Sequence, residues 1–283
     1  MKLVTVIPFL KSLQKETLTY FSGKEVAIGD IVIIPVRNKD VEGLVINTED
    51  VSLQKGDVKD ASFNLKKIKE VKGKSFFKNT FIDSCQEVRS YFVSSTGQML
   101  DTLIPAIVFE NYNSLNKVEV TKEKTKDILP EKYAFQAPIE DRLVIYKTYI
   151  RESFAKKESV FFCFPTINEA EYFYENLKRG VEDYAVLLHT GLSKKDFIKR
   201  YNQATDEEHP IIIFGTPSFL FLPRNDLRTI IIERESSASY RSQRKPYLDA
   251  RIFAEMLSYK ENLRIIFADS ILRTETMWRT KTS

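Results

Sequence analysis

The feature that most constrains this chain is a set of short apolar runs that recur through its second half. Val160 to Phe164, Ala185 to Leu188, Ile211 to Phe214, Thr229 to Ile232 and Ile265 to Ala268 are all nearly unbroken. A strand with one wet face would alternate, so unbroken runs mark strands buried on both faces. Between them the sequence reads as helix. Asn168 to Arg179 has helical spacing and is closed by Gly180, and another helix begins at Ser193, with Asp196 placed to complete a capping box. Strands alternating with helices predict a parallel sheet covered on both sides, from Pro130 onward.

The first third has a different rhythm. Lys2 to Ile7 alternates, Ile31 to Val36 and Gly43 to Ile46 are apolar, and Ser22-Gly23, Gly29-Asp30 and Asn38-Lys39-Asp40 supply turns. Pro35, near the end of a run, predicts an edge strand or a strand exit. Short strands within about 70 residues predict a small barrel or sandwich. Phe77, Phe81, Ile82, Cys85, Val88 and Phe92 then fall at helical spacing, which predicts a helix over 78–93. Ser95-Thr96-Gly97 breaks it, and a second helix starts near Gln98. Asn111 to Lys126 is polar and aperiodic, a linker.

Composition narrows the function classes. Only 9 glycines occur among 283 residues, few for a chain that must bring backbone against phosphates. The net charge of +4 permits nucleic-acid binding without requiring it. Cys85 and Cys163 are too few for a four-ligand zinc site and suggest no disulfide framework. No secretory leader and no membrane span of about 20 apolar residues is evident, so a soluble, cytoplasmic protein that does not engage membranes is expected. Neither a cofactor nor a metal is expected.

Parallel α/β sheets bind ligands at the carboxyl ends of their strands. The phosphate-loop pattern G-x-x-x-x-G-K-[ST] is absent there; residues 136–147 occupy the corresponding place and hold no glycine. Ile232-Glu233-Arg234-Glu235-Ser236 is a charged strand end, read as a solvated loop with a Glu-Arg pair. His189 and His209 read as loop histidines. Two basic clusters remain. Lys66, Lys67, Lys69, Lys72, Lys74 and Lys78 surround Phe76 and Phe77, and Tyr240, Arg241, Arg244, Lys245 and Arg251 form the other. Each is read either as a phosphate-binding surface or as a solvated face over core aromatics.

Three ordered stretches resemble the bacterial replication-restart helicase family, the primosomal protein N′ type. Val6-Ile7-Pro8, Leu18-Thr19-Tyr20, the run Val26 to Val36 and Glu42-Gly43-Leu44-Val45 are similar to the family's 3′-end DNA-binding domain, with its "F-D-Y", "G-x-x-V-x-V-P-F" and "x-G-x-V" landmarks. Tyr91-Phe92 through Gly97 to Leu103-Ile104-Pro105 resembles its winged-helix segment. Leu188 to Ser193 resembles "L-H-S-G-L-S", Phe214 to Pro223 resembles "I-G-T-R-S-A-L-F-x-P", and the stretches Ser239 to Gln243 and Tyr247 to Arg251 echo "S-Y-K-Q" and "Y-H-A-R". The resemblance implies a β-barrel 3′ DNA-binding domain over 1–72, a winged-helix-like segment over 73–110, a linker over 111–129 and a degenerate RecA-like lobe over 130–283.

The departures from the family are also informative. No position matches the loop "G-V-T-G-S-G-K-T". The "D-E-E-H" box becomes Glu233-Arg234-Glu235-Ser236, with Arg234 standing where a water-activating carboxylate is expected, a role arginine cannot fill. "G-S-A-T-P" becomes Ala268-Asp269-Ser270-Ile271. The "F-D" of the terminal-nucleotide pocket is Leu18-Thr19, which offers a hydroxyl without the charge assistance of a carboxylate. The resemblance therefore implies a DNA-binding protein for branched or 3′-ended DNA without ATPase or helicase activity. No catalytic residue is assigned, and Glu233, Arg234 and Glu235 are remnants of a nucleotide site. The DNA-contacting candidates are Leu18, Thr19, Tyr20, Arg37, Lys39 and Gly43 in the barrel, Lys72, Lys74 and Lys78 at the junction, and Arg241, Arg244 and Lys245 on the lobe. A second reading makes the lobe a docking platform for replisome proteins, using exposed Phe219, Phe221 and Leu222. A third keeps ATP use with parts supplied by another polypeptide.

Overall fold

The computed structural model describes residues 2–10, 13, 15–50, 65–74, 77–117 and 130–282. Phe76 and most of the expected linker lie outside the described residues. The first five strands, β1 (Lys2–Pro8), β2 (Leu18–Ser22), β3 (Asp30–Val36), β4 (Lys39–Asp50) and β5 (Glu70–Lys74), form an antiparallel sheet in the order β2-β1-β4-β3-β5. The stretch before β5 returns to β2. The Phe21 amide donates to Lys66 O at 3.1 Å, and the Ile68 amide to Phe21 O at 3.0 Å. This contact closes the sheet around Val4, Val6, Tyr20, Val32, Ile34 and Val45.

Pro35 sits where β3 has run past its pairing with β5, which covers Asp30 to Ile33. Its missing amide therefore costs no ladder bond on that side, the expected strand exit. Gly43 is required by crowding. A Cβ there would lie 2.4 Å from Val6 Cγ1 and 3.0 Å from Ile7 O, so β1 crosses β4 only over a bare backbone.

Three helices follow: α1 (Asn79–Tyr91), α2 (Thr96–Leu103) and α3 (Ala106–Glu110). Ser95 and Gln98 cap α2 reciprocally, satisfying two of the amides that a helix start leaves open. No strand follows α3 among the described residues 77–117. Gly97 lets α2 seat on the end of β1, because a Cβ there would fall 1.9 Å from Pro8 O.

The remainder is a RecA-like α/β lobe. Strands β6 (Lys132–Gln136), β7 (Ser159–Cys163), β8 (Ala185–Leu188), β9 (Ile212–Gly215), β10 (Leu227–Glu233) and β11 (Arg264–Asp269) pair in parallel in the order β6-β11-β10-β7-β9-β8. Helices α4 (Ile139–Ala155) and α5 (Ile167–Leu177) cover one face, where Tyr146, Ile150 and Phe173 meet Val160, Phe162, Phe214 and Ile231. Helices α6 (Lys194–Thr205) and α7 (Ala250–Lys260) cover the other, where Phe197 and Phe253 meet Phe161, Ile213, Ile230 and Ile232. Successive residues of one strand thus serve opposite cores, which is why the runs are unbroken. Helix α8 (Thr274–Thr282) ends the described chain.

The helical unit and the lobe share one aromatic core. Phe77 lies 5.7 Å edge-on to Phe221, and Phe81 lies 5.5 Å from Phe253. No helix among the described residues is long and apolar enough to cross a membrane.

Candidate nucleic-acid interface and the strand-end cleft of the lobe

At one end of the barrel, β3 and β4 join through Arg37-Asn38. Arg37 adopts a left-handed φ of 54°, unusual for a residue with a Cβ and costing about 1–2 kcal/mol. The hairpin forms the rim of a cavity of about 300 Å³, lined by Leu10, Leu13, Val36, Arg37, Asn38 and Lys39. Its walls are apolar and its rim cationic. Arg37 and Lys39 are exposed, and no described carboxylate pairs with either. Asp40 binds Lys69 at 2.6 Å instead, and Glu16 binds Arg89 at 2.7 Å. Thr19 is exposed on β2 and Leu18 is half-buried beside the barrel core.

The carboxyl ends of the lobe strands are arranged in the opposite way. Strand β6 passes to α4 through only Ala137 and Pro138. Arg142, one turn into α4, is 3% exposed. Its Nη2 donates to Glu233 Oε1 at 2.6 Å and its Nε to the same oxygen at 3.1 Å. Its Nη1 donates to the Ala137 carbonyl and to Ser270 Oγ, the latter at 3.1 Å. Tyr146 Oη donates to the other oxygen, Glu233 Oε2, at 2.5 Å. One guanidinium thus ties together the ends of β6, β10 and β11. Burial pushes the Glu233 carboxyl up, against the opposing pull of Arg142 and Tyr146, and burial also raises the Tyr146 phenol well above its ordinary range.

The rest of the Glu233 strand end is also committed. Arg234, at φ 52°, is exposed and pairs with Glu169. Glu235 is buried and accepts from the Arg273 amide at 2.5 Å and from Thr276 Oγ1 at 3.2 Å. Asp269 accepts from the Ser236 amide at 2.9 Å. Burial would raise this carboxyl, but hydrogen bonds from Ser236, Ser270 and Ile271 outweigh that and hold it low. Among the described residues no group of three or more His, Cys, Asp or Glu could hold a metal ion.

Residues 6–105 match the family of the 3′ DNA-binding domain. The replication restart protein PriA of Helicobacter pylori strain J99 is 26% identical over 267 residues, which is 89% of this chain and 40% of that protein. The chain is PriA-like. PriA of Rickettsia prowazekii is 21% identical over 282 residues, covering 91% of this chain and 41% of that protein. PriA of Buchnera aphidicola is 24% identical over 137 residues, 48% of this chain. The chain spans about two fifths of the length of the Helicobacter relative, 40%. The match to the 3′ DNA-binding family runs through the barrel and on through helices α1 and α2, past the expected boundary at 72.

Within this PriA-like frame, the sequence-derived DNA candidates separate into exposed and internal groups. Arg37, Lys39, Thr19 and Lys74 stand at the surface of the barrel. Arg241, Arg244 and Lys245 are exposed together on a loop pinned from within. The Ser242 amide donates to Leu248 O at 2.8 Å and the Tyr247 amide to Arg244 O at 2.8 Å, leaving Tyr247 exposed beside them.

Others turn inward and correct the expectation. Tyr20 is a core residue whose hydroxyl donates to Pro35 O at 3.2 Å, and Gly43 is buried under β1. Lys72 is half-buried and donates to Phe109 O at 3.1 Å, with Glu42 at 3.4 Å. Lys78 is buried, donating to Arg224 O at 2.6 Å and Glu261 at 2.9 Å; it fastens α1 to the lobe instead of facing phosphate. On the lobe, Arg251 is buried against Asp249 at 2.6 Å and Tyr240 donates to Cys163 O at 2.6 Å.

The proposed docking residues Phe219, Phe221 and Leu222 are buried by the shared aromatic core, so they are not an exposed platform. His189 is buried too. Its Nδ1 accepts from the Gly191 amide at 3.2 Å, and burial lowers its pKa.

Sequence reasoning missed Arg142 and Tyr146. The signal was present, because residues 142, 146 and 150 fall on one helical stripe, and an arginine on a buried stripe needs an internal partner.

Proposed function

We propose that this chain binds branched or 3′-ended DNA through its barrel and the exposed basic loop of its lobe, and that it neither hydrolyses ATP nor unwinds DNA. One contrast carries the reading. The barrel that matches a 3′ DNA-binding family keeps an open cavity rimmed by cations that no described carboxylate pairs, whereas the strand-end cleft of the lobe holds its own ion pair.

The residues at that cleft do not fit a magnesium nucleotide. A phosphate cradle needs several successive backbone N–H groups, and the β6–α4 connection has two residues, one of them proline. Both oxygens of Glu233 are engaged by Arg142 and Tyr146, so this carboxylate is not open to a cation. At the neighbouring position Arg234 is a cation and cannot activate water.

The DNA contacts on this reading are Thr19, Arg37, Lys39 and Lys74 on the barrel and Arg241, Arg244 and Lys245 on the lobe. They act mainly on phosphates, so binding is salt-sensitive and weakly sequence-selective. The barrel, helical unit and lobe act as three units of one body, and the protein works in the cytoplasm in replication restart. The test is fluorescence anisotropy of a labelled fork at two salt concentrations, with wild type and a Lys39→Glu/Arg244→Glu double variant. Salt-sensitive binding weakened in the double variant supports the reading. Absence of binding at low salt overturns it.

A further inference from the structure

We propose that Lys78 and Glu261 are positioning residues for DNA binding. They touch no DNA; their buried pair sets the relative placement of the barrel's and the lobe's basic surfaces, so that each takes a different arm of one branched molecule. This rests on the DNA-binding reading above and adds what makes the two surfaces act together.

Lys78 is the residue that opens α1, and Glu261 is the residue that closes α7. Their side chains are only 8% and 7% exposed, so both charges have left water. The Lys78 ammonium donates to Glu261 Oε2 at 2.9 Å and to the Arg224 carbonyl at 2.6 Å. Thr80 Oγ1 donates to the other Glu261 oxygen at 2.8 Å. The Arg224 backbone is itself held, because its fully buried guanidinium binds the Ala204 and His209 carbonyls at 2.9 and 3.0 Å and Asp226 at 2.6 Å. Next to Lys78 and Thr80 in the chain, Phe77 and Phe81 pack on Phe221 and Phe253. Apolar packing is non-directional and would let the helical unit settle on the lobe at more than one angle. A buried ion pair is satisfied in one register, since any other strands two desolvated charges.

Fixed contacts carry this register to both basic surfaces. Toward the barrel, α2 seats on the end of β1 at Gly97, Phe9 lies 5.2 Å from Phe109, and Lys72 of β5 donates to Phe109 O at 3.1 Å. Toward the basic loop, Tyr240 Oη donates to the Cys163 and Glu233 carbonyls at 2.6 and 2.7 Å, which pins the residue before Arg241 to the strand ends. A second tie, from the Asn116 amide to Asn202 Oδ1 at 2.8 Å, opposes rotation about the joint. Each surface alone offers a few exposed, salt-screened phosphate contacts. Held in fixed relation, capture of one arm makes capture of the second intramolecular, and that gain disappears when the relation is lost.

The test uses the full chain, a labelled fork, and the two arms of that fork as separate linear DNAs. Anisotropy titrations of the wild type should show the fork bound at least about tenfold more tightly than either arm. Lys78→Met and Glu261→Ala, each checked for native circular dichroism, should both cut that ratio to about twofold while leaving affinity for the separate arms nearly unchanged. These variants shift the net charge in opposite directions. Weakening of every DNA by Lys78→Met alone would therefore mark a direct phosphate contact and overturn the proposal. The double variant Lys78→Met/Glu261→Leu refills the joint with apolar side chains and should keep the wild-type Tm, yet it should still lack the fork preference. A stable double variant with the full preference, or a wild type that binds fork and arms equally, would also overturn the proposal and leave the DNA-binding reading standing. Absence of wild-type binding to every DNA at low salt would overturn both.

Discussion

Arg37 at the barrel end and Arg142 at the strand ends of the lobe are the same side chain in opposite circumstances. Arg37 is exposed on a strained turn over an apolar cavity, and no described carboxylate pairs with it. Arg142 is 3% exposed, and its partner Glu233 is 1% exposed. A buried pair of this kind recovers its desolvation cost only when every donor and acceptor is placed, as Ala137, Ser270 and Tyr146 place them here. An exposed cation contributes little to folding and remains free to neutralise a phosphate. On the proposed function, one region offers its cations to an outside anion, whereas the other neutralises itself.

The largest effect that could break this contrast lies in the cleft. Arg142→Ala should destabilise the chain by about 3–5 kcal/mol in urea unfolding, because it strands the buried Glu233. Arg142→Met combined with Glu233→Leu should recover most of that loss; a near-neutral single variant would show that the cleft is wet and open. Next in size is the joint between barrel and helices. Gly97→Ala should cost about 1–3 kcal/mol, since its Cβ would meet Pro8 O at 1.9 Å and α2 must lift off β1. A smaller loss would mean that the barrel sits loosely on the helical unit.

The barrel-end effect is smaller and appears in affinity. Lys39→Ala should lower the slope of log affinity against log salt by about 1 while changing stability by less than about 0.5 kcal/mol. The reverse outcome, lost stability with an unchanged slope, would make Lys39 structural like Lys78.

The smallest effect is in pH dependence. Burial lowers the His189 pKa, so the unfolded chain takes up the proton first. The stability this residue contributes is present above about pH 6.5 and is lost as pH falls from there through its folded pKa. His189→Gln should therefore flatten the fall in Tm between pH 7.5 and 5.5.

How far the sequence discloses the molecule depends on the range of the interaction. Val160 to Phe164 is legible because consecutive residues feed two cores, Phe161 one and Phe162 the other. The capped start at Ser193 is a local hydrogen bond across three residues and stands out, whereas Ser95-Thr96-Gly97 reads as a break although Ser95 caps α2. Strand β6, KYAFQ, does not, because as an edge strand it buries little and carries Lys132 and the half-exposed Tyr133. The site is less legible than the fold. Lys78 looks like Lys74 in sequence, and the difference is made by Glu261, 183 positions away. Phe221 gives no local sign that Phe81 of α1 will pack edge-on against it. The fate of Glu233 is set by an arginine 91 residues upstream.

The most direct test of the central contrast is a single titration of labelled fork DNA with and without saturating magnesium-ATP. Superimposable, salt-sensitive isotherms are expected, with DNA held by the barrel and basic loop while the lobe ignores nucleotide. A shift in affinity on adding magnesium-ATP would contradict it, because the cleft closed by Arg142 and Glu233 would then have to open for the nucleotide.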